Sequence, residues 1–398
     1  MRSVAVVGAS LAGLSTVRTL RAEGYEGSLT IIGAERHEPY DRPPLSKEFL
    51  KGGVEAEALA LGSADEYQDL DVRWVLGRSA VRLDPRSATL TLDDGRQIRS
   101  DAVVIATGAT PRTIPGSGGL RGIHTLRTLD DAVALRADLV SGRPRVVVIG
   151  AGFIGAEVAS TAHALGLDVT VVEAMEVPLE RALGREMGRI CSALHTDHGV
   201  RLLCGVGVSG FTGAERVEGV LLDDGRLLPA DVVVVGVGVT PATAWLAGSG
   251  VEVGDGVLCD AGCATSVPNV VAVGDIANCP NPFTGRRSRI EHWTHAMEQP
   301  KTAVRTLLSG SPAVPPAVPP YFWSDQYHVR IQLAGHVGPQ DEPQIVEGDV
   351  DSRSFVAVYR RAGKEVAVLG VNQPKLFNRL RRSLQKQPGV VTPGRLLS

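Results

Sequence analysis

The chain has 398 residues and a net charge of −3 at neutral pH, a balance that gives no global attraction for nucleic acid. No apolar run reaches the roughly 18 residues of a membrane span, and the first residues enter a strand without a signal-peptide pattern, so a cytoplasmic protein with no membrane partner is expected. The five cysteines, Cys191, Cys204, Cys259, Cys263 and Cys279, form no C-x-x-C pair, which argues against a redox dithiol, a zinc ribbon and a cysteine-held iron–sulfur cluster within this chain.

The 46 glycines concentrate where apolar runs end. Val4 to Val7 reads as a buried strand, and Gly8-Ala9-Ser10-Leu11-Ala12-Gly13 as a tight turn into a helix reaching Ala22. Small residues there let backbone approach a pyrophosphate, toward which the first N–H groups of the helix point. Ser10 stands where the usual G-x-G-x-x-G has its middle glycine. A second strand, Ser28 to Gly33, is followed by Glu35, a carboxylate placed to hold an adenosine ribose. Three prolines between Glu38 and Lys47 predict a rigid loop that fixes Asp41, Arg42 and Lys47 rather than leaving them solvated. Further strands are predicted at Val72 to Val75, Val81 to Leu83, Ala88 to Leu92 and Ala102 to Ala106, the last closing on Thr107-Gly108-Ala109-Thr110-Pro111.

The pattern then repeats. Val146 to Ile149 leads into an intact fingerprint, Gly150-Ala151-Gly152-Phe153-Ile154-Gly155, with Glu157 one turn into the helix and Glu173 ending the next strand. Asp94-Gly95-Arg96, Asp101 and Gly108-Ala109-Thr110-Pro111 recur at the same spacing as Asp224-Gly225-Arg226, Asp231 and Gly238-Val239-Thr240-Pro241. Two structurally equivalent halves, hence two nucleotide sites, are expected. No arginine follows Glu173 directly, which favours an unphosphorylated NAD ribose.

Asn269 to Asp275 forms a further strand ending in Gly274-Asp275, where a second stretch of backbone could reach an extended cofactor. Arg289 to Trp293 opens a helix predicted over Thr294 to Leu308, and the prolines from Pro312 to Pro320 read as an extended linker. The last segment begins with the aromatic run Tyr321 to Tyr327 and continues as short strands at 332–334, 344–347, 355–359 and 365–371. A final helix carries Leu376, Leu380 and Leu384 at helical spacing. After Glu365 only basic charges follow, namely Lys375, Arg379, Arg381, Arg382, Lys386 and Arg395. By itself such a cluster is most simply a solvated helix face.

In order along the chain, Gly8-x-Ser10-x-x-Gly13, Tyr40 to Lys47, Ala106-Thr107-Gly108, Gly150-x-Gly152-x-x-Gly155-x-Glu157, Gly274-Asp275, Glu291-x-Trp293 and Phe322 to Gln326 resemble the oxygenase-coupled NADH-dependent ferredoxin reductases. The resemblance implies an α/β, glutathione-reductase-like flavoprotein with two Rossmann units. An FAD domain (1–110 and 241–316) would be split by an NAD domain (111–240) and followed by a C-terminal α+β domain (317–398).

On the matched positions, Gly8, Ser10, Leu11, Ala12 and Gly13 would face the FAD pyrophosphate and Glu35 its ribose. Arg42, Lys47, Ala106, Thr107 and Gly108 would lie along the flavin side. Asp275 would bind the ribityl or pyrophosphate portion, with His292, Trp293 and Trp323 at the ring. Gly150, Gly152, Phe153, Ile154, Gly155, Glu173 and Gly238 would take NADH. Lys47 and Glu157 are expected to pair beside the flavin and, with Trp323, to serve catalysis.

The partner implied is a [2Fe–2S] ferredoxin feeding a cytochrome P450 or Rieske oxygenase, with the enzyme a monomer or homodimer. Arg286, Arg287 and Arg289 or the C-terminal basic stretch would steer that ferredoxin. Two other readings share the fold: a disulfide or peroxide reductase, disfavoured because no cysteine precedes Cys191, and a non-enzymatic flavoprotein like apoptosis-inducing factor. The pairs His195-x-x-His198 and His292-x-x-His295 lack the companions of a metal site, so none is expected.

Overall fold

The computed structural model describes residues 1–386, so Arg395 lies outside the described residues. The first unit comprises β1 (Ser3–Val7), α1 (Leu11–Ala22), β2 (Ser28–Gly33), β3 (Val72–Leu76) and β4 (Ala102–Ile105). The second comprises β5 (Ile123–His124), α2 (Leu129–Leu139), β6 (Arg145–Ile149), α3 (Phe153–Ala164), β7 (Asp168–Glu173), α4 (Glu180–Asp197), β8 (Arg201–Cys204) and β9 (Val232–Val235). The chain then returns to the first unit through β10 (Val270–Ala272) and α5 (Trp293–Ser309). It ends in β11 (Tyr321–Gln326), β12 (Val329–Gly335), β13 (Glu342–Asp349), β14 (Ser354–Arg361), β15 (Lys364–Val371) and α6 (Pro374–Lys386).

The first two units each hold a parallel five-stranded sheet, ordered β10-β4-β1-β2-β3 and β8-β7-β6-β9-β5. Helices cover such strands on both faces, which is why the sequence shows unbroken Val and Ile runs rather than alternation. Val4 to Val7 and Val146 to Ile149 are buried throughout, each Val or Ile side chain contributing about 1.5–3 kcal/mol of burial.

The duplication extends to single hydrogen bonds. Gly8 N donates to Ile32 O and Gly150 N to Val172 O, both at 2.7 Å, while Asp101 N bonds Ser3 O and Asp231 N bonds Arg145 O, both at 3.0 Å. The two closing signatures pair with each other, Thr110 opposite Thr240 in an antiparallel ladder that joins the units.

The third sheet is antiparallel, ordered β11-β12-β15-β14-β13. One face buries Val356, Val358 and Val368 against Phe377 and Leu384 of α6. The other packs Phe355, Tyr359 and Leu369 on Leu183 and Met187 of α4, so this sheet shares a core with the second unit. Tyr359 donates its hydroxyl to Leu183 O at 2.6 Å across that seam.

The aromatic run is itself a strand, β11, where the sequence reading had placed strands only after it. Its mixture of aromatic and polar residues hides the alternation that would have marked it. Within the Glu38 to Lys47 loop, Pro43–Ser46 forms a 3₁₀ turn, followed directly by a short helix, Glu48–Lys51.

Candidate active site between the three units

The turn after β1 is closed by backbone. An added Cβ at Gly8 would lie 2.0 Å from Ala106 O, and one at Gly13 would lie 1.8 Å from Gly8 O. Leu11 and Ala12 open α1, and Ser10 is its N-cap with no side-chain capping bond; its Oγ instead accepts from Arg42 Nε at 3.2 Å. Arg42 Nη2 also donates to Glu35 Oε1 at 2.6 Å and Nη1 to Arg127 O, and Tyr40 gives its hydroxyl proton to Glu35. Glu35, expected on a ribose, is therefore held by the proline loop.

Asp275 is met by Arg127 at 2.8 Å, a partner the sequence reading missed because 148 positions separate the two. Thr107 Oγ donates to Ala242 O at 3.0 Å, while Gly108 has φ +65° and takes the chain out of β4 toward the second unit.

The proline turn aims Lys47. Pro43 and Pro44 preset φ for a 3₁₀ turn, Lys47 N closes it on Pro44 O at 3.0 Å, and buried Leu45, Phe49 and Leu50 anchor it. Lys47 Nζ donates to Glu157 Oε2 at 2.8 Å, with side-chain exposures of 13% and 8%. Ser46 Oγ reaches the same oxygen at 2.6 Å. The other oxygen, Oε1, accepts from Ser324 Oγ at 2.7 Å and from Asp325 N at 3.3 Å.

A buried carboxylate costs several kcal/mol unless paired and hydrogen-bonded, and this one has four donors. The first unit, α3 of the second unit and β11 of the third sheet thus meet at one side chain.

At the N-terminus of α5, burial pushes the His292 imidazole down to about 4, and its Nδ1 is buried without a partner. Trp293 Nε1 donates to Asp41 Oδ1 at 2.7 Å. Phe322 packs on Phe153 and His292 with ring centroids 4.5 and 5.1 Å apart, while Trp323 sits edge-on to Trp293 at 6.1 Å and stacks on Tyr321. Trp323 and Ser324, neighbours on a strand, point to opposite faces, one toward Trp293 and the other toward Glu157.

The second turn is open. Gly155 packs on Gly150 O as Gly13 packs on Gly8 O, but a Cβ at Gly152 or Gly238 would meet nothing, and Ile154 is 47% exposed. Glu173 Oε2 accepts from Ala151 N and Oε1 from Met175 N, both at 2.8 Å, which fixes the carboxylate beside the turn.

Of the remaining expectations, His195 is a core residue hydrogen-bonded to the Tyr327 hydroxyl at 2.7 Å. Arg289 is neutralised by Asp255 and Glu291, and Arg287 donates to the carbonyls of Cys259 and Asn278.

The residues present fit a flavin dinucleotide in the first unit. Gly8 and Gly13 keep the turn free of side chains, α1 directs its uncapped N–H groups into it, and the orphaned His292 Nδ1 offers a polar contact at the far end. The open Gly152 turn fits a second dinucleotide.

No helix among the described residues is long and apolar enough to cross a membrane. Residues 2–300 match the pyridine nucleotide-disulphide oxidoreductase model, and residues 321–396 the reductase C-terminal model. The chain is 38% identical over 396 residues to the ferredoxin–NAD(+) reductase subunit of the benzene 1,2-dioxygenase system of Pseudomonas putida, covering 99% of this chain and 94% of that one. It is 37% identical to rhodocoxin reductase of Rhodococcus erythropolis, over 94% and 87% of the two chains. The covalent putidaredoxin reductase–putidaredoxin complex contains a chain that superposes with TM-score 0.92 at 33% identity, covering 99% of this chain and 95% of that one. With two glycine turns, a carboxylate joining three units and a reductase C-terminal sheet, the chain belongs to the pyridine nucleotide-disulphide oxidoreductase family, in its ferredoxin reductase branch.

Proposed function

We propose that the protein is an FAD-dependent NADH:ferredoxin oxidoreductase that reduces a [2Fe–2S] ferredoxin serving a cytochrome P450 or Rieske oxygenase. Each NADH would reduce two ferredoxins and yield NAD+ and one proton. The observation that carries this reading is the Lys47–Glu157 pair, buried where both dinucleotide units and the C-terminal sheet converge. Bound FAD would supply the conversion between the hydride pair of NADH and single electrons.

This chain's residues then have distinct tasks. The Gly8–Gly13 turn, Glu35, Arg42, Ala106 to Gly108 and Asp275 hold FAD, with His292, Trp293 and Trp323 around its ring. The turn from Gly150 to Gly155, with Phe153, Ile154 and Gly238, receives NADH. Lys47 provides a fixed positive charge that Glu157 orients, stabilising negative charge as it develops nearby. The division at 110, 240 and 316 is the domain organisation we assign, and the protein acts in the cytoplasm as a monomer or homodimer.

A disulfide or peroxide reductase needs a thiolate. Burial pushes the Cys191 thiol up to about 12, and Ser46 occupies the loop position beside Lys47. The deciding experiment is anaerobic NADH-driven reduction of a panel of [2Fe–2S] ferredoxins, followed by the loss of their visible absorbance. Rapid reduction of at least one is expected, and a yellow protein that reduces disulfides but no ferredoxin would overturn the reading.

NADH is the preferred donor, because the fixed Glu173 carboxylate would lie against a 2′-phosphate. Such like-charge contact costs a few kcal/mol when desolvated, on the order of a hundredfold in kcat/KM. Arg185, the cation nearest in sequence that could compensate besides Arg181, is held by Glu176 at 2.8 Å. Equal kcat/KM with NADPH would show that Glu173 does not select.

A further inference from the structure

Ser324 is fully buried at 0% exposure, its hydroxyl 2.7 Å from Glu157 Oε1. The direction of its proton is fixed by a second contact. Gln326 Nε2, an amide that can only donate, gives a hydrogen to Ser324 Oγ at 3.0 Å, so the hydroxyl proton is left for the carboxylate. Ser46 makes the mirror-image contact on Oε2, and its own backbone carbonyl is gripped by Thr161 Oγ at 2.7 Å, one turn along α3 from Glu157. Both oxygens of Glu157 are thereby filled, and the carboxylate has a single orientation toward Lys47.

We propose that Ser324 is a positioning residue for the flavin-reducing step, acting through Glu157 to hold Lys47 in place and so making the C-terminal sheet part of the NADH-side site. The inference rests on the proposed function above. Its physical basis is that a hydrogen bond to a buried charge is stronger than one between neutral groups, and that without the Ser324 hydroxyl Oε1 keeps only the long 3.3 Å bond from Asp325 N and is held less firmly.

The same strand carries Trp323 on its opposite face, beside Trp293 and under the Tyr321 ring stack. One six-residue strand therefore touches the Lys47–Glu157 pair with one face and the aromatic group at the flavin end of α5 with the other.

The test is Ser324→Ala in the FAD-loaded enzyme, with Ser324→Thr as the hydroxyl-restoring variant and Ser46→Ala as the same deletion from the other side. Expected for Ser324→Ala are full FAD content, an unchanged NADH dissociation constant, about a fivefold to tenfold slower flavin reduction in stopped-flow, and a displaced flavin midpoint potential. Ser324→Thr should recover both rate and potential, and Ser46→Ala should displace the potential in the same direction.

Hydrogen exchange over Tyr321 to Gln326 in the FAD-loaded enzyme separates positioning from simple clamping. A clamp alone would speed exchange and leave the potential of the loaded enzyme unmoved. A native rate and potential in Ser324→Ala, or no recovery in Ser324→Thr, would overturn the inference. A native enzyme that reduces no ferredoxin would instead overturn the function on which it rests.

Discussion

Gly13 and Gly155 hold the same place in their turns: an added Cβ would lie 1.8 Å from Gly8 O in the first and 2.0 Å from Gly150 O in the second. What surrounds the two turns differs. The first is overlaid by Arg42, Glu35, Arg127 and Asp275, drawn from three separate stretches of chain and bonded to one another or to Ser10. The second has open space at Gly152 and Gly238 and an exposed Ile154. Equal backbones with unequal enclosure fit one dinucleotide that stays through many turnovers and one that enters and leaves each time. The cradle is common to both units, and the proline loop, present only in the first, makes much of the difference.

The largest expected effect tests the packing that the two turns share. Gly13→Ala places a methyl against backbone that cannot yield, so folded, flavin-loaded protein should be lost, as read from flavin yield and far-ultraviolet circular dichroism. Gly152→Ala meets nothing within 4 Å among the described residues. It should keep its flavin while NADH affinity falls about tenfold or more, a cost near 1.4 kcal/mol. A Gly13→Ala enzyme that purifies with native flavin content would break the comparison at its root.

Much of this was legible in the sequence. Buried parallel strands write themselves as Val and Ile runs, and turns that exclude Cβ write themselves as glycines, so both halves and the repeat between them could be read directly. The Lys47–Glu157 pair came from the resemblance rather than from spacing. The contacts that complete the site were not legible, because Ser324 lies 167 positions from Glu157 and Asp275 lies 148 from Arg127, and no local pattern reports such distances. One cue was present. Phe322, Ser324 and Gln326 share a face at strand period, and two polar side chains inward of an aromatic run need partners.

A second, smaller effect concerns the seat of the third sheet, which lies on the second unit. His195, 1% exposed, holds the Tyr327 hydroxyl there, and burial pushes its imidazole down to about 4. The groups facing it are Tyr327 from the β11–β12 turn, with His198 stacked on that ring and His163 tilted against it, and the Arg353–Asp197 ion pair farther along α4. Because the unfolded chain takes up this proton near 6.5 and the folded one only near 4, stability is complete above pH 6.5 and falls as the pH drops through that interval. The loss from His195 at pH 5 is about 2 kcal/mol. Urea midpoints at pH 7 and pH 5 should therefore draw together in His195→Gln, leaving the shares due to His292, His295 and His336, whose imidazoles burial also pushes down. An unchanged pH dependence in that variant would show that His195 does not set the acid sensitivity.

The smallest effect tests whether ferredoxin meets the molecule away from the NADH turn. The chain's net −3 would not draw a negatively charged ferredoxin, so attraction must be local. Of the two basic clusters, the one from Arg286 to Arg289 is largely spent on Asp255, Glu291 and backbone carbonyls. On α6, by contrast, Lys375, Arg379 and Arg382 are exposed and have no ion-pair partner among the described residues. Arg381 lies 3.9 Å over the Tyr321 ring, which stacks on Trp323, so this charge borders the aromatic group at the N-terminus of α5. Steering by exposed charge weakens as salt shortens the Debye length from about 10 Å at 0.1 M to about 3 Å at 1 M. Ferredoxin reduction should fall with salt while ferricyanide reduction stays level. Reversing Arg379, Arg381 and Arg382 to Glu should raise the ferredoxin KM about tenfold at low ionic strength, with the gap closing at 1 M. The NADH KM should not move, because α6 packs on β12 and β15 of the third sheet. If the triple variant docks ferredoxin normally, these arginines are a solvated face, and Arg286, without an ion pair among the described residues, is left as the candidate of the other cluster.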